Sequence, residues 1–277
     1  MLSEADLQRI RASGGWRRHR VELIHDTAAG SVIVKGQRAA RPAWRYRLLN
    51  GGARLLGLPL LQAAPAHGGA RAQAIEVERL RRLAAAGVAV PPLLHVEDEF
   101  FVQGWLGEQR LDQLLLQDQA LRWWQCGLRT LVELHARDQY LSQAFARNFI
   151  ATGDTLAMID FEDDPLEVMP LAHAQARDWL AYLHASARAF RAHTAEQRAA
   201  CVALLRAELA RERAPVRALV VATARRLRWL QRLPAGSGRG WRRHLAILHG
   251  AVGMMLAADA AGDDPAAPTR VSHARHR

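Results

Sequence analysis

Lysine is nearly absent from this chain. Of its 38 basic residues only Lys35 is a lysine; every other one is arginine. Cysteine is scarce too: Cys126 and Cys201 lie far apart within helical patterns, which excludes a disulfide framework or a cysteine zinc site and leaves two reduced thiols. No stretch reaches the roughly 18 to 20 apolar residues that span a bilayer. The nearest, "LAILHGAVGMMLAADAA" from Leu245, is interrupted by His249 and Asp259 and reads as a buried terminal helix. The opening "MLSEADLQRI" carries acids where a secretory signal starts basic, so no signal peptide and a reducing, cytoplasmic setting are expected. Zinc spacings, a helix-turn-helix pattern and basic-plus-aromatic nucleic-acid motifs are also missing, which disfavours nucleic acid as a partner.

What is present fits a folded catalytic or binding chain. With 277 residues, half of them apolar, it can bury one large core or build two lobes that share a cleft. The formal charge of +11 suits anionic partners. Arginine-rich helices such as "VRALVVATARRLRWLQRL", Val216 to Leu233, set an apolar face beside a basic one. That pattern serves an anionic membrane surface or a solvated face over the core.

The chain changes character along its length. Short alternating runs come first: "HRVELI" ending at Ile24, "SVIVK" ending at Lys35 and "EFFVQ" ending at Gln103, separated by turn residues. One helix interrupts them. Glu76, Leu80 and Leu83 fall on one of its faces, Gly87 closes it, and "VPP" at Val90 to Pro92 forbids continuation. Beyond Gly107 the chain turns helical: Leu121, Trp124, Leu128, Leu131, Val132 and His135 predict a long amphipathic helix ending near "HARD". "FARNFIATGDTLAMIDFEDD" then predicts a hairpin turning at Thr152 to Asp154, with a strand "LAMIDF" that ends in acids. From Leu171 onward helices follow, with breaks expected at Pro215 and at Pro234 to Gly240. The fold expected is α+β and two-lobed: a small β-rich lobe with one helix over residues 1–104, carrying a basic insert at about 41–61, then a mainly helical lobe over 105–277.

Asn148 and Asp160 flank the hairpin, one entering and one leaving. An amide oxygen and a carboxylate held that way are hard ligands suited to Mg²⁺. The same residues also read as a polar turn followed by a solvated acidic run, "DFEDD".

Together, a lysine ending a strand, a glutamate on the following helix, an asparagine after a long helix and an Ile-Asp-Phe strand end resemble the protein-kinase-like phosphotransferase superfamily. The resemblance covers about the first 180 residues. It implies that Lys35 holds nucleotide phosphates and pairs with Glu76, with Glu78 as fallback. Arginine would not replace that lysine, because a guanidinium is a wide planar fork and an ammonium a compact charge. It further implies ATP as cofactor, with Gln103 and Trp105 of "FFVQGWLG" in the interlobe link that contacts adenine. Asn148 and Asp160 become the Mg²⁺ ligands, and Asp178 a buried carboxylate supporting the catalytic loop. Two departures stand out. The family's three spaced glycines are absent, "SGG" at Ser13 to Gly15 being a weak substitute, and its catalytic aspartate position, five residues before Asn148, is Gln143. A glutamine orients a hydroxyl but does not take its proton. The nearest other acid, Asp138 of "HARD", is the second catalytic candidate, although its place suits the close of the long helix.

"IDFED" is similar to small-molecule kinases, and the spare catalytic loop to the lipopolysaccharide core sugar kinases and their atypical relatives. The resemblance therefore implies a phosphotransferase acting on a sugar or lipid-linked hydroxyl, such as an envelope glycolipid, at the cytoplasmic face of a membrane. A pseudokinase, nucleotide-responsive or structural, is the alternative. The insert, with its arginines and Trp44, serves equally to rest on an anionic membrane or to cap the lobe.

Overall fold

The structure, a computed structural model, describes residues 1–39, 50–53, 55, 57–65, 67–118, 120–141, 143–190, 193–232 and 241–260. Period-two alternation builds its first lobe. Strand β1 (Val21–Thr27) turns through Ala28 and Ala29 into β2 (Gly30–Gly36), and β3 (Leu93–Val96) and β4 (Phe100–Gly104) complete an antiparallel sheet of order β1-β2-β4-β3. Val32, Val34, Phe100 and Val102 point to one face, where they bury Ile10 and Trp16. Those two residues come from α1 (Glu4–Ala12) and α2 (Gly15–His19). Trp16 packs 4.8 Å from Phe100 and donates its indole N–H to the Ile10 carbonyl at 2.9 Å.

The other face carries Lys35 and its register partner Phe101, with Gln103 two residues further along β4. Helix α3 (Gly69–Ala85) lies over this side and buries Glu76, Leu80 and Leu83, the three residues that its sequence puts on one stripe. It stops where Gly87 takes φ +70°, the left-handed conformation that glycine adopts without a Cβ penalty.

The second lobe opens with α4 (Leu111–Leu114) and α5 (Arg122–Ala136). The hairpin of β5 (Phe149–Thr152) and β6 (Thr155–Met158) follows, then α6 (Leu171–Phe190), α7 (Ala195–Arg211), α8 (Ala214–Arg226) and α9 (Trp241–Ala260). Trp124 of α5 stacks on Tyr182 of α6 with ring centroids 5.4 Å apart, both fully buried. Gly127 makes this approach possible, since a Cβ there would run into the Tyr182 hydroxyl. One apolar cluster runs from Leu80, Leu83 and Phe101 of the small lobe to Trp124, Trp179 and Met255 of the large one.

The architecture is α+β, a small antiparallel-sheet lobe joined to a helical lobe. Several expectations need correction. Helices α1 and α2 and the short edge strand β3 were not foreseen. The strand expected to run to Phe161 ends at Met158, because Asp160 takes φ 73° and swings the chain out of the ladder. The helix break expected at Pro215 is present: α7 ends at Arg211 and α8 starts at Ala214, with Pro215 in its first turn, where its missing N–H costs nothing. The break at Pro234 to Gly240 lies outside the described residues.

Much of the 41–61 insert lies outside them as well. Its described end is helical at 50–53 and then forms a 3-10 turn, Pro59–Leu61, against α6. Leu58 and Leu60 enter the main core, and Arg226 of α8 bonds the Gly57 carbonyl. This end of the insert therefore ties the small lobe to the helical one. Among the described residues, no helix is long and apolar enough to cross a membrane.

Candidate functional site

The lysine of β2 meets the glutamate of α3 in the cleft. Lys35 Nζ donates to Glu76 Oε1, and Asp160 Oδ1 stands 3.6 Å from the same ammonium. Two arginines of the first lobe close around the acids of the second. Arg20 pairs with Glu162 and reaches Glu76 at 3.8 Å. Arg38 forks across Glu162 and Asp163, with Asp163 Oδ1 at 2.7 Å and the Glu162 carbonyl at 3.3 Å. Glu78, the fallback partner for Lys35, instead faces solvent and pairs with Arg82 at 2.6 Å.

Among the described residues Glu76, Asp160, Glu162 and Asp163 meet Lys35, Arg20 and Arg38 here, and Asp160 is the acid pushed up. Burial pushes its carboxyl up, Lys35 pulls it back, and Glu162 and Glu76 push it further, to about 6. Burial would likewise raise Glu162, but Arg20 above all, then Arg38, hold it below the usual range. Burial works against the Lys35 ammonium, and Glu76 and Asp160 more than offset it, so the lysine stays charged.

The loop from Gln143 to Asn148 lies beside this cluster. The Asn148 side-chain amide donates to the Gln143 carbonyl at 3.0 Å, and the Asn148 carbonyl accepts from Ile159 N at 2.9 Å, tying the loop to the Asp160 segment. The Asn148 amide oxygen accepts no hydrogen bond among the described residues. Gln143 donates its side-chain amide to Asp163 Oδ2 at 3.0 Å, which sets a carboxylate beside position 143. Beneath the loop, Asp178 accepts from Leu141 N at 2.6 Å and lies 3.4 Å from His135. His135 in turn bonds Glu212 at 2.6 Å, and Glu212 also accepts the Trp179 indole N–H at 2.8 Å. Arg79 of α3 donates to the Tyr140 carbonyl at 2.7 Å and sits 3.8 Å over its ring, linking the helix of Glu76 to the same loop.

Asp138 is not part of this site. It follows α5 in the left-handed region at φ 57°, is exposed, and pairs with Arg213 at 2.7 Å, so as a catalytic candidate it is withdrawn. The "SGG" stretch lies at the α1–α2 junction, where Ser13 bonds Glu22 at 2.6 Å, and not in the β1–β2 turn. Gln103 is buried on the Lys35 face, and Trp105 begins the interlobe link. The backbone amides of Gly104 and Trp105 already donate to Pro92 and Ser31, at 2.9 and 3.1 Å. As a ligand contact Trp105 therefore offers only its ring and carbonyl.

Arg20, Arg38 and Asp163 are the residues that sequence reasoning missed. The two arginines were hidden among so many others, and Asp163 looked like one member of a solvated acidic run. The molecule is thus a two-lobed α+β protein with a strongly charged, buried cleft between its lobes. Neither protein-family models nor curated proteins show any match to the chain.

Proposed function

We propose that this chain is an ATP- and Mg²⁺-dependent phosphotransferase of protein-kinase-like fold, acting on a sugar or lipid-linked hydroxyl at the cytoplasmic face of a membrane. One observation carries the reading: the only lysine of the chain is buried against Glu76, with Asp160 3.6 Å away on its other side. Nucleotide phosphates would lie against Lys35, which Glu76 orients, and adenine toward the Gln103–Trp105 link. The amide oxygen of Asn148 and the carboxylate of Asp160 would serve as an oxygen donor pair, which suits Mg²⁺ because that ion binds through one or two protein groups and keeps the rest of its shell for water and phosphate. The bound metal would neutralise phosphate charge as the phosphoryl group moves. Gln143 and Asp163 would receive the acceptor hydroxyl, the amide orienting it and the carboxylate taking its proton; a loose transition state asks little more of a base. A pseudokinase is the second reading, favoured by Gln143 at the base position.

Thermal melting with ATP, with and without Mg²⁺, tests the first half. At about 100 times its dissociation constant a ligand adds about 2.7 kcal/mol to stability. Asp160→Asn is expected to remove the metal-dependent part. In wild type that part should be present at pH 7.5 and fade below about pH 6, where Asp160 takes up a proton that competes with the cation. A metal response unchanged in Asp160→Asn would return the acidic run to a solvated surface. Phosphate transfer to envelope glycolipids tests the second half: Asp163→Asn should lower transfer about 10²- to 10⁴-fold with ATP binding kept. Wild type that binds ATP and transfers to none of them would favour the pseudokinase.

A further inference from the structure

Behind the Gln143–Asn148 loop lies a cavity of about 210 Å³. Leu60 of the insert, Leu180 of α6 and Leu248 and Met255 of α9 give it apolar walls, Phe145 of the loop closes one side, and Arg177 and His184 of α6 are its polar lining among the described residues. Nη1 of Arg177 is buried and has no hydrogen-bond partner among the described residues. Among the described residues no carboxylate pairs with the guanidinium; burial drags its pKa down, and Asp178 and Asp163 act against this only through space. A buried guanidinium nitrogen without a partner beside an apolar wall is costly, and an incoming anion with a hydrocarbon tail would satisfy both at once. Phe145 also lines a neighbouring hollow of about 600 Å³ that carries Arg147 and the Arg110–Asp112 ion pair.

We infer that this cavity binds an anionic amphiphile, its alkyl or acyl chain among Leu180, Leu248 and Met255 and its phosphate or carboxylate head on Arg177. Phe145, which lines the cavity, belongs to the loop that carries Gln143. Resting on the phosphotransferase reading, the inference names the acceptor class as an anionic lipid or lipid-like glycoside whose hydroxyl reaches Asp163. As a binding site it needs no nucleotide.

Calorimetric titration of the full chain with octyl phosphate, decyl phosphate, decanol and inorganic phosphate, all below micelle formation, tests it. Decyl phosphate is expected to bind one to one and roughly tenfold tighter than octyl phosphate, the effect of two more buried methylenes. Decanol and inorganic phosphate, each holding half of the recognition, should bind at least tenfold more weakly than decyl phosphate. Arg177→Leu should reduce decyl phosphate to the level of decanol, and Ala181→Phe, which adds bulk at the α6 wall, should erase the dependence on chain length. Circular dichroism and melting of both variants separate lost binding from lost folding, and the wild-type chain-length series stands without them. Equal affinity for octyl and decyl phosphate, no binding of either, or wild-type affinity in folded Arg177→Leu would overturn the inference. Inorganic phosphate binding as tightly as decyl phosphate would overturn it too, assigning Arg177 to free phosphate. Decyl phosphate binding in a protein that shows no response to ATP and Mg²⁺ would support the site and end the phosphotransferase reading.

Discussion

Lys35→Ala should abolish nucleotide binding and lower phosphate transfer by at least 10²- to 10³-fold, the usual loss when one preorganised charge-stabilising donor is removed. Lys35→Arg should fail almost as badly, although it restores the charge, because a planar fork does not occupy the place of a point charge between Glu76 and Asp160. The alanine variant should also unfold more easily. Glu76 is 2 % exposed and would keep only Arg20, at 3.8 Å, so about 3–5 kcal/mol of stability is at stake. Adding Glu76→Gln removes the orphaned charge and should restore most of that stability without restoring nucleotide binding. Denaturant melts and ATP titrations of the single and double variants check both statements. If the Lys35→Ala protein binds ATP as wild type does, the cleft is not a phosphate site.

His135→Leu should be the most damaging change away from the cleft. His135 is wholly buried between Asp178 and Glu212, and its loss would leave two carboxylates facing an apolar side chain, a penalty of about 3–5 kcal/mol. Burial disfavours the imidazolium, but hydrogen bonds to Asp178 and Glu212 more than offset it, so the folded-state pKa lies above the usual histidine value. A raised histidine pKa contributes stability that is fully present below about 6.5 and lost as pH rises through the folded-state value. The stability gap between wild type and variant should therefore be wide at pH 6 and narrower at pH 9. Urea melts at the two values measure it. A gap of the same size at both would mean that His135 is neutral and serves by shape alone. Because Asp178 also holds Leu141 N, loosening this triad should disturb the loop before the β-sheet lobe.

How much of this was legible in the sequence depended on whether a residue's role is written in local periodicity. Lys35 ends an alternating run, and Glu76 shares a helical stripe with Leu80 and Leu83, so their inward direction followed from period two and period 3.6. Asp178, which is buried, was readable as such only through the resemblance and not from the pattern of its own helix. Contacts over long separation were not readable. Arg38 meets Glu162 across 124 residues, and no local pattern distinguishes it from the many arginines that coat the surface. The bond of Gln143 to Asp163 lies just beyond the left-handed turn at Asp160, a conformation uncommon for any residue but glycine. Asp138 misled because its sequence neighbours imitate a catalytic motif, whereas the end of α5 directs it to solvent and Arg213. The edge strand β3 was missed because four residues after two prolines carry too little alternation to announce a strand.

The apolar cluster that passes unbroken from Leu80 and Phe101 to Trp124 and Trp179 has a calorimetric meaning. Halves that touched only through a charged cleft would melt as separate units, and salt would pull their transitions apart. Here the small lobe has a single cluster of its own, on the outer face of its sheet, while its inner face belongs to the core of its neighbour. Heating should therefore give one endotherm whose van't Hoff and calorimetric enthalpies agree, and Leu80→Ala should move the whole peak down without splitting it. In such a molecule cleft opening is not a hinge between independent bodies but a deformation of one cooperative unit.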